Sequence, residues 1–248
     1  MKRNISLIVL FLIVGVSPLF SAIVNDYAIT TGTKATVYDL GDASLLWHVS
    51  NSDLLNGKAG TLLQGGFHSA TVPSADVDRI ATLTDGVWAP NGLTVIATDY
   101  GEAFPNFYDL ILEYNFTTPK NISSIIIFAG HDGDGARGFI NCDVAIDTGS
   151  GYIDLYKEFK TGPYGASAHD NSSVSAARLY QSDAGHNIAS NVQKLKFSFY
   201  DCTHNNANAK FIKWNDNTTE GNYPNQGTVL KEIDVFEGYS SEENWHIY

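Results

Sequence analysis

From Leu93 onward the chain alternates between apolar and polar positions with a period of two. Leu93, Val95 and Ala97 alternate with Thr94 and Thr98; Leu110, Leu112, Tyr114 and Phe116 alternate with Asp109, Glu113 and Asn115. Ile125 to Phe128 is a short continuous apolar run. Ile140, Cys142, Val144 and Ile146 alternate with Asn141, Asp143 and Ala145, and Ile153 and Leu155 follow. Leu195, Phe197 and Phe199 alternate with Lys196 and Ser198; Phe211-Ile212 and then Val229, Ile233 and Val235 close the series. Successive side chains of a strand point to opposite faces, so this pattern predicts half-buried strands. The breaks carry turn chemistry: Asn56-Gly57, Asp85-Gly86, Asn91-Gly92, Asp132-Gly133, Asp134-Gly135 and Gly149-Ser150-Gly151. Asn and Asp tolerate positive φ, and Gly adopts it without steric cost. No window carries an amphipathic helix of three turns. The prediction is an all-β fold, a two-sheet antiparallel sandwich.

The first residues break the pattern. Met1-Lys2-Arg3-Asn4 is basic, Ile5 to Val16 is apolar, and Ser17, Pro18, Ser21 and Ala22 supply a small-residue end. That layout predicts a secretory signal peptide over 1–22. Its apolar run falls short of the ~20 residues needed to span a bilayer. Secretion, to the cell surface, the medium or a periplasm, is the expectation. Residues 23–50 are read as an N-terminal extension adding strands to the sandwich, 51–238 as the main domain and 239–248 as a tail.

The chain has 248 residues and a formal charge of −12, which becomes −14 without Lys2 and Arg3. An acidic chain repels phosphate backbones and anionic lipid, which argues against nucleic acid and charge-driven membrane binding, and no segment after the first residues approaches spanning length, which argues against membrane insertion. The two cysteines, Cys142 and Cys202, suggest one disulfide in an oxidising compartment. Strand phase places Cys142 inward and Cys202 out of phase with Leu195, Phe197 and Phe199, so a pair of free thiols stays open as the alternative.

Catalytic signals are few. The seven histidines form neither His-x-His nor His-Glu-x-x-His. Gly165-Ala166-Ser167-Ala168-His169 lacks the last glycine of a nucleophile elbow. Asp132-Gly133-Asp134-Gly135-Ala136-Arg137 starts like a calcium loop but lacks its later ligands. A non-catalytic binding module is therefore expected, with a structural or adhesive surface protein as the alternative. Three features could serve binding. The Gly130–Gly138 loop offers His131, Asp132 and Arg137 as donors and acceptors to a sugar; the plainer reading is a hairpin in which Arg137 pairs with Asp143 or Asp147. Trp88 and Trp214 stand among Gly, Asn and Asp, where an aromatic face suits the C–H face of a sugar. Partly buried packing is the plainer reading for each. The loop after Cys202 is expected to share one end of the sandwich with the Gly130–Gly138 loop.

The order of motifs carries a further expectation. Leu83-Thr84-Asp85-Gly86-Val87-Trp88, Asp109 to Tyr114, Asn121 to Phe128, Phe139 to Asp147, Asn191 to Phe199 and Lys231-Glu232-Ile233-Asp234-Val235-Phe236 follow one another. This series resembles the discoidin-like, galactose-binding-like β-sandwich group, which includes coagulation factor C-type domains and many bacterial carbohydrate-binding modules. The resemblance implies a jelly roll, a glycan or cell-surface polysaccharide as ligand, and a structural Ca²⁺ where an early Asp-Gly loop meets a Glu on the last strand. The matching positions are Asp85 and Glu232. The alternative makes Asp85 a turn former and Glu232 a solvated outer-face residue.

Overall fold

The computed structural model describes residues 22–31, 49–67, 75–87, 95–96, 110–130, 140–160, 173–183, 185–199 and 229–238. In chain order these form β1 (Ile23–Thr31), β2 (Thr61–Gly65), the short helix α1 (Asp76–Ala81), β3 (Val95–Ile96), β4 (Leu110–Gly130), β5 (Asn141–Asp147), β6 (Tyr152–Lys160), β7 (Ser173–Gln181), β8 (Ala189–Phe199) and β9 (Val229–Glu237). Every pairing among them is antiparallel. The all-β antiparallel sandwich expected from the alternation is what the chain adopts.

The strand β4 builds both layers. Its first half, Leu110 to Asn115, lies between β2 and β8; its second half, Ser124 to Gly130, lies between β7 and β9. The first sheet thus runs β2-β4-β8-β5-β6 and the second β1-β7-β4-β9-β3. Register with β8 lapses between Asn115 and Lys120. Pro119 sits in that lapse, where a residue without a backbone N–H loses no ladder bond. The sequence pattern suggests two strands, Leu110–Phe116 and Ile125–Phe128; the structure joins them into one.

Period two delivers the core. Leu110, Leu112 and Tyr114 of β4, Cys142, Val144 and Ile146 of β5, and Leu195, Phe197 and Phe199 of β8 point inward from the first sheet. Ile125, Ile127 and Ala129 of β4, Ala177 and Leu179 of β7, and Ile233 and Val235 of β9 meet them from the second. Tyr114 and Phe197 pack edge to face with centroids 6.1 Å apart. Such aromatic pairs add about 0.5–1.5 kcal/mol beyond burial.

Two strands escape the apolar pattern. In β7, Ser-Val-Ser-Ala-Ala-Arg-Leu-Tyr-Gln carries weak strand formers, yet it is held on both sides, by β1 and by β4. Ala176 and Ala177 are fully buried, one on each face, and their small size suits a site enclosed on both sides. The other, β2, is short and kinked by a register shift between Leu62 and Gln64. Cys142 is a free, fully buried thiol opposite Phe199 and Phe159, and burial pushes its pKa well up. Cys202, the partner weighed for a disulfide, lies outside the described residues.

Candidate metal centre

The free edge of β9 is where distant parts of the chain converge. The Leu54 N–H donates to the Val235 carbonyl at 2.7 Å, and the Ile233 N–H to the Leu83 carbonyl at 2.7 Å. Asp53 Oδ1 accepts from the N–H groups of Leu55 at 2.8 Å and Val235 at 3.1 Å. Asp234 Oδ2 accepts from the Ser50 N–H at 2.8 Å, and Glu232 Oε1 from the Gly86 N–H at 3.1 Å. Two loops, one around Ser50–Asp53 and one at Asp85-Gly86, are therefore clipped to the last strand by its acidic side chains. Gly86 has φ +72, and a Cβ there would lie 2.6 Å from the Asn51 Cα. Only glycine lets the two loops touch at that point.

Glu232 and Asp234 alternate with the inward Ile233 and Val235, so they stand on the outer face of the second sheet, opposite Phe128 and Ile126. Solvation was the plainer expectation for Glu232. Instead both carboxylates are fully buried, as are Phe128 and Ala176 on the same face. One oxygen of each remains without a partner, Glu232 Oε2 and Asp234 Oδ1; Asp53 Oδ2 and the Tyr114 hydroxyl are likewise buried and unpartnered.

The electrostatics follow from that burial. Loss of water, with Asp234, Asp85 and Asp53 adding to it, raises the Glu232 pKa to about 9 against the Gly86 hydrogen bond. Burial raises Asp234 to about 8 against the Ser50 hydrogen bond, with Asp53 adding to the rise. Asp53 and Asp85 are also raised by burial. Burial and the same acids raise the Tyr114 hydroxyl. Buried carboxylates with empty lone pairs cost free energy unless a proton or a cation compensates them.

Asp85 itself is exposed, and its Oδ1 accepts from the Val87 N–H at 2.9 Å, which makes it a turn former. The loop meets Glu232 through Gly86 rather than through the Asp85 carboxylate. Asp53 and Asp234, which sequence reasoning did not single out, supply the other orphaned oxygens. The signal available was Glu-x-Asp on one face of the last strand. Among the described residues no three His, Cys, Asp or Glu side chains form a ready ligand set. The unpartnered oxygens of Glu232 and Asp234 are hard donors of the kind Ca²⁺ takes, and by themselves they are fewer than its ~6–8 ligands.

The remaining candidates fall elsewhere. His131, Asp132, Arg137, Trp88 and Trp214 lie outside the described residues, as do 1–21 and 239–248. Both acids considered as partners for Arg137 are among the described residues. Asp143 accepts from Lys157 Nζ at 2.8 Å and the Glu158 N–H at 2.9 Å, and Asp147 from the N–H groups of Gly149 at 2.7 Å and Gly151 at 3.0 Å. Ile23–Thr31 pairs along β7, so the segment before residue 51 contributes a strand to the second sheet. No helix of the described residues is long and apolar enough to cross a membrane.

No protein-family model and no curated protein matches the chain. Among solved structures, one described as CpGH89CBM32-6 produced by Clostridium perfringens aligns over 72% of this chain and 92% of its own, with 12% identity and a TM-score of 0.37. At that score the likeness is distant and assigns no ligand.

Proposed function

We propose that this chain is a secreted, non-catalytic glycan-binding module whose sandwich is clamped by a structural Ca²⁺ at the junction of β9 with the Ser50–Asp53 and Asp85-Gly86 loops. The observation that carries the reading is the closed junction itself. The strongly perturbed acids, Glu232 and Asp234, are sealed within it and share their hydrogen bonds with backbone. Acids that act on a substrate must reach it, so this pair suits holding rather than turnover. Ca²⁺ would be held by Glu232 and Asp234, with Asp53 beside them, and would supply the charge that their unpartnered oxygens lack. Recognition is then left to the loop ends, where the sequence places His131, Asp132, Arg137, Trp88 and Trp214.

The test is a glycan array probed with the mature chain in Ca²⁺ and in chelator. Binding to a defined glycan is expected in Ca²⁺, and Arg137→Ala or Trp214→Ala should weaken it at unchanged melting temperature. Absence of binding in both conditions overturns the glycan reading. Turnover of a bound glycan overturns the non-catalytic one.

A further inference from the structure

The first strand is held unlike the others. All nine residues of β1 oppose β7, from Ile23↔Gln181 to Thr31↔Ser173, and among the described strands β7 is its only ladder neighbour. Beyond Ile23, its described inward positions add little apolar anchoring. Asn25 and Tyr27 oppose Leu179 and Ala177, both fully buried, yet Asn25 is polar and Tyr27 is 40% exposed. Among the described side chains of β1, Ile23 alone packs on the core. On the outer face Asp26 and Arg178 sit 3.7 Å apart, a pair open to water, and such pairs contribute at most about 1 kcal/mol.

Over its described side chains, Ile23 to Tyr27, β1 is therefore held mostly by backbone. Each ladder bond contributes about 0.5–1.5 kcal/mol net, while ordering each residue costs about 1–2 kcal/mol. The two nearly cancel, so opening of β1 is a low-energy local event. The rest of the second sheet stays intact, because β7 keeps its ladder with β4. The vacated edge is a row of backbone donors and acceptors beside buried Ala177 and Leu179, a template for another strand. Seventeen residues separate Thr31 from Val49; extended, they span about 55 Å, enough to carry β1 to a neighbouring molecule.

We propose that β1 is an exchangeable strand, and that the β7 edge it occupies is an interaction surface for the β1 of a second copy of this chain. The occupant follows from register: the same nine residues already match that edge. Reciprocal exchange closes a two-fold dimer.

A cysteine trap tests this directly. Asp26→Cys with Arg178→Cys, in a Cys202→Ser background, places two thiols opposite each other across the β1–β7 ladder. Tyr27→Cys with Ala177→Cys supplies the other class of cross-strand pair, in case one geometry does not close. The full mature chain is concentrated, oxidised and run on a non-reducing gel, with the bond mapped by mass spectrometry. Exchange gives a covalent dimer whose share rises with concentration and which each single-cysteine variant lacks. Hydrogen exchange should show β1 amides at least about tenfold faster than those β7 shares with β4. A bond closed only within one chain at every concentration overturns the proposal. So does β1 exchange as slow as that of β7, and closure in neither pair would refute the β1–β7 register itself.

Discussion

The outer faces of the two sheets solve opposite problems. On the first sheet the outer face is a wet polar network. The Tyr152 hydroxyl, reaching over from β6, donates to Glu113 Oε2, and Asn115 Nδ2 donates to Glu113 Oε1 at 3.1 Å. Lys196 Nζ lies 4.1 Å from the centre of the Tyr152 ring, and Lys194 3.8 Å from Glu113. Partial burial would raise Glu113, but the Tyr152 and Asn115 hydrogen bonds and both lysines bring it below its ordinary value. On the second sheet the corresponding face holds Ile126, Phe128 and Ala176 beside Glu232 and Asp234, all buried, and its acids are raised far above theirs. Acids on the same type of surface thus end with opposite shifts. The difference is burial and what compensates it: Glu232 and Asp234 lose water and keep one backbone N–H each, whereas Glu113 keeps hydroxyl, amide and lysine partners.

The comparison breaks most sharply at Phe128. If the outer face of the second sheet is a true core, Phe128→Ala should cost about 3–5 kcal/mol. Ile111→Ala on the half-buried outer face of the first sheet should cost less than half of that. Chemical denaturation of both variants checks it, and equal losses would erase the distinction.

The next effect is calcium on the acidic junction. Ca²⁺ at about a hundred times its dissociation constant should stabilise the chain by about 2.7 kcal/mol, or about 5–10 °C for a domain of this size. Glu232→Gln with Asp234→Asn should abolish the response while raising the melting temperature in chelator. A melting curve indifferent to chelator would reject the ion.

The same acids fix the sign of the pH dependence in chelator. The native pKa values, about 9 for Glu232 and about 8 for Asp234, exceed those of an unfolded chain. The native state therefore binds more protons through that window, and the stability these acids allow is full below about pH 4 and falls as pH rises through about 8–9. Melting in chelator should fall from pH 6 to pH 9, and saturating Ca²⁺ should flatten the trend. A rise with pH in chelator would contradict the placement of these acids.

Smaller effects sharpen the wet face. At the bulge in β6, Glu158 has φ 55, and buried Asp143 holds its N–H while pairing with Lys157. Asp143→Asn should cost about 1–3 kcal/mol, because a charged acceptor of two hydrogen bonds is lost. Tyr152→Phe removes one hydroxyl from a half-exposed network and should cost about 0.5–1.5 kcal/mol. It should also raise the Glu113 pKa, readable by NMR titration. A Tyr152→Phe loss larger than that of Asp143→Asn would reverse the order argued from burial.

Alternation alone determined the class of fold and the inward residues of β4, β5, β8 and β9, because a period of two leaves one face for the core. It also placed Cys142 inside and gave Gly86 its turn, since both depend on local backbone geometry. The sequence did not reveal β7, whose alanines and arginine form a strand only because β1 and β4 enclose it. Nor did it show that β4 runs unbroken through both sheets. At the junction, local pattern marked Glu232 as outward, which it is, and gave solvation as the plainer reading, which it is not. Burial of an outer face depends on what covers it, and that is a property of the folded whole. The same holds for Asp53 and Asp234: tertiary contacts, not local pattern, take one oxygen of each and leave the other buried without a partner.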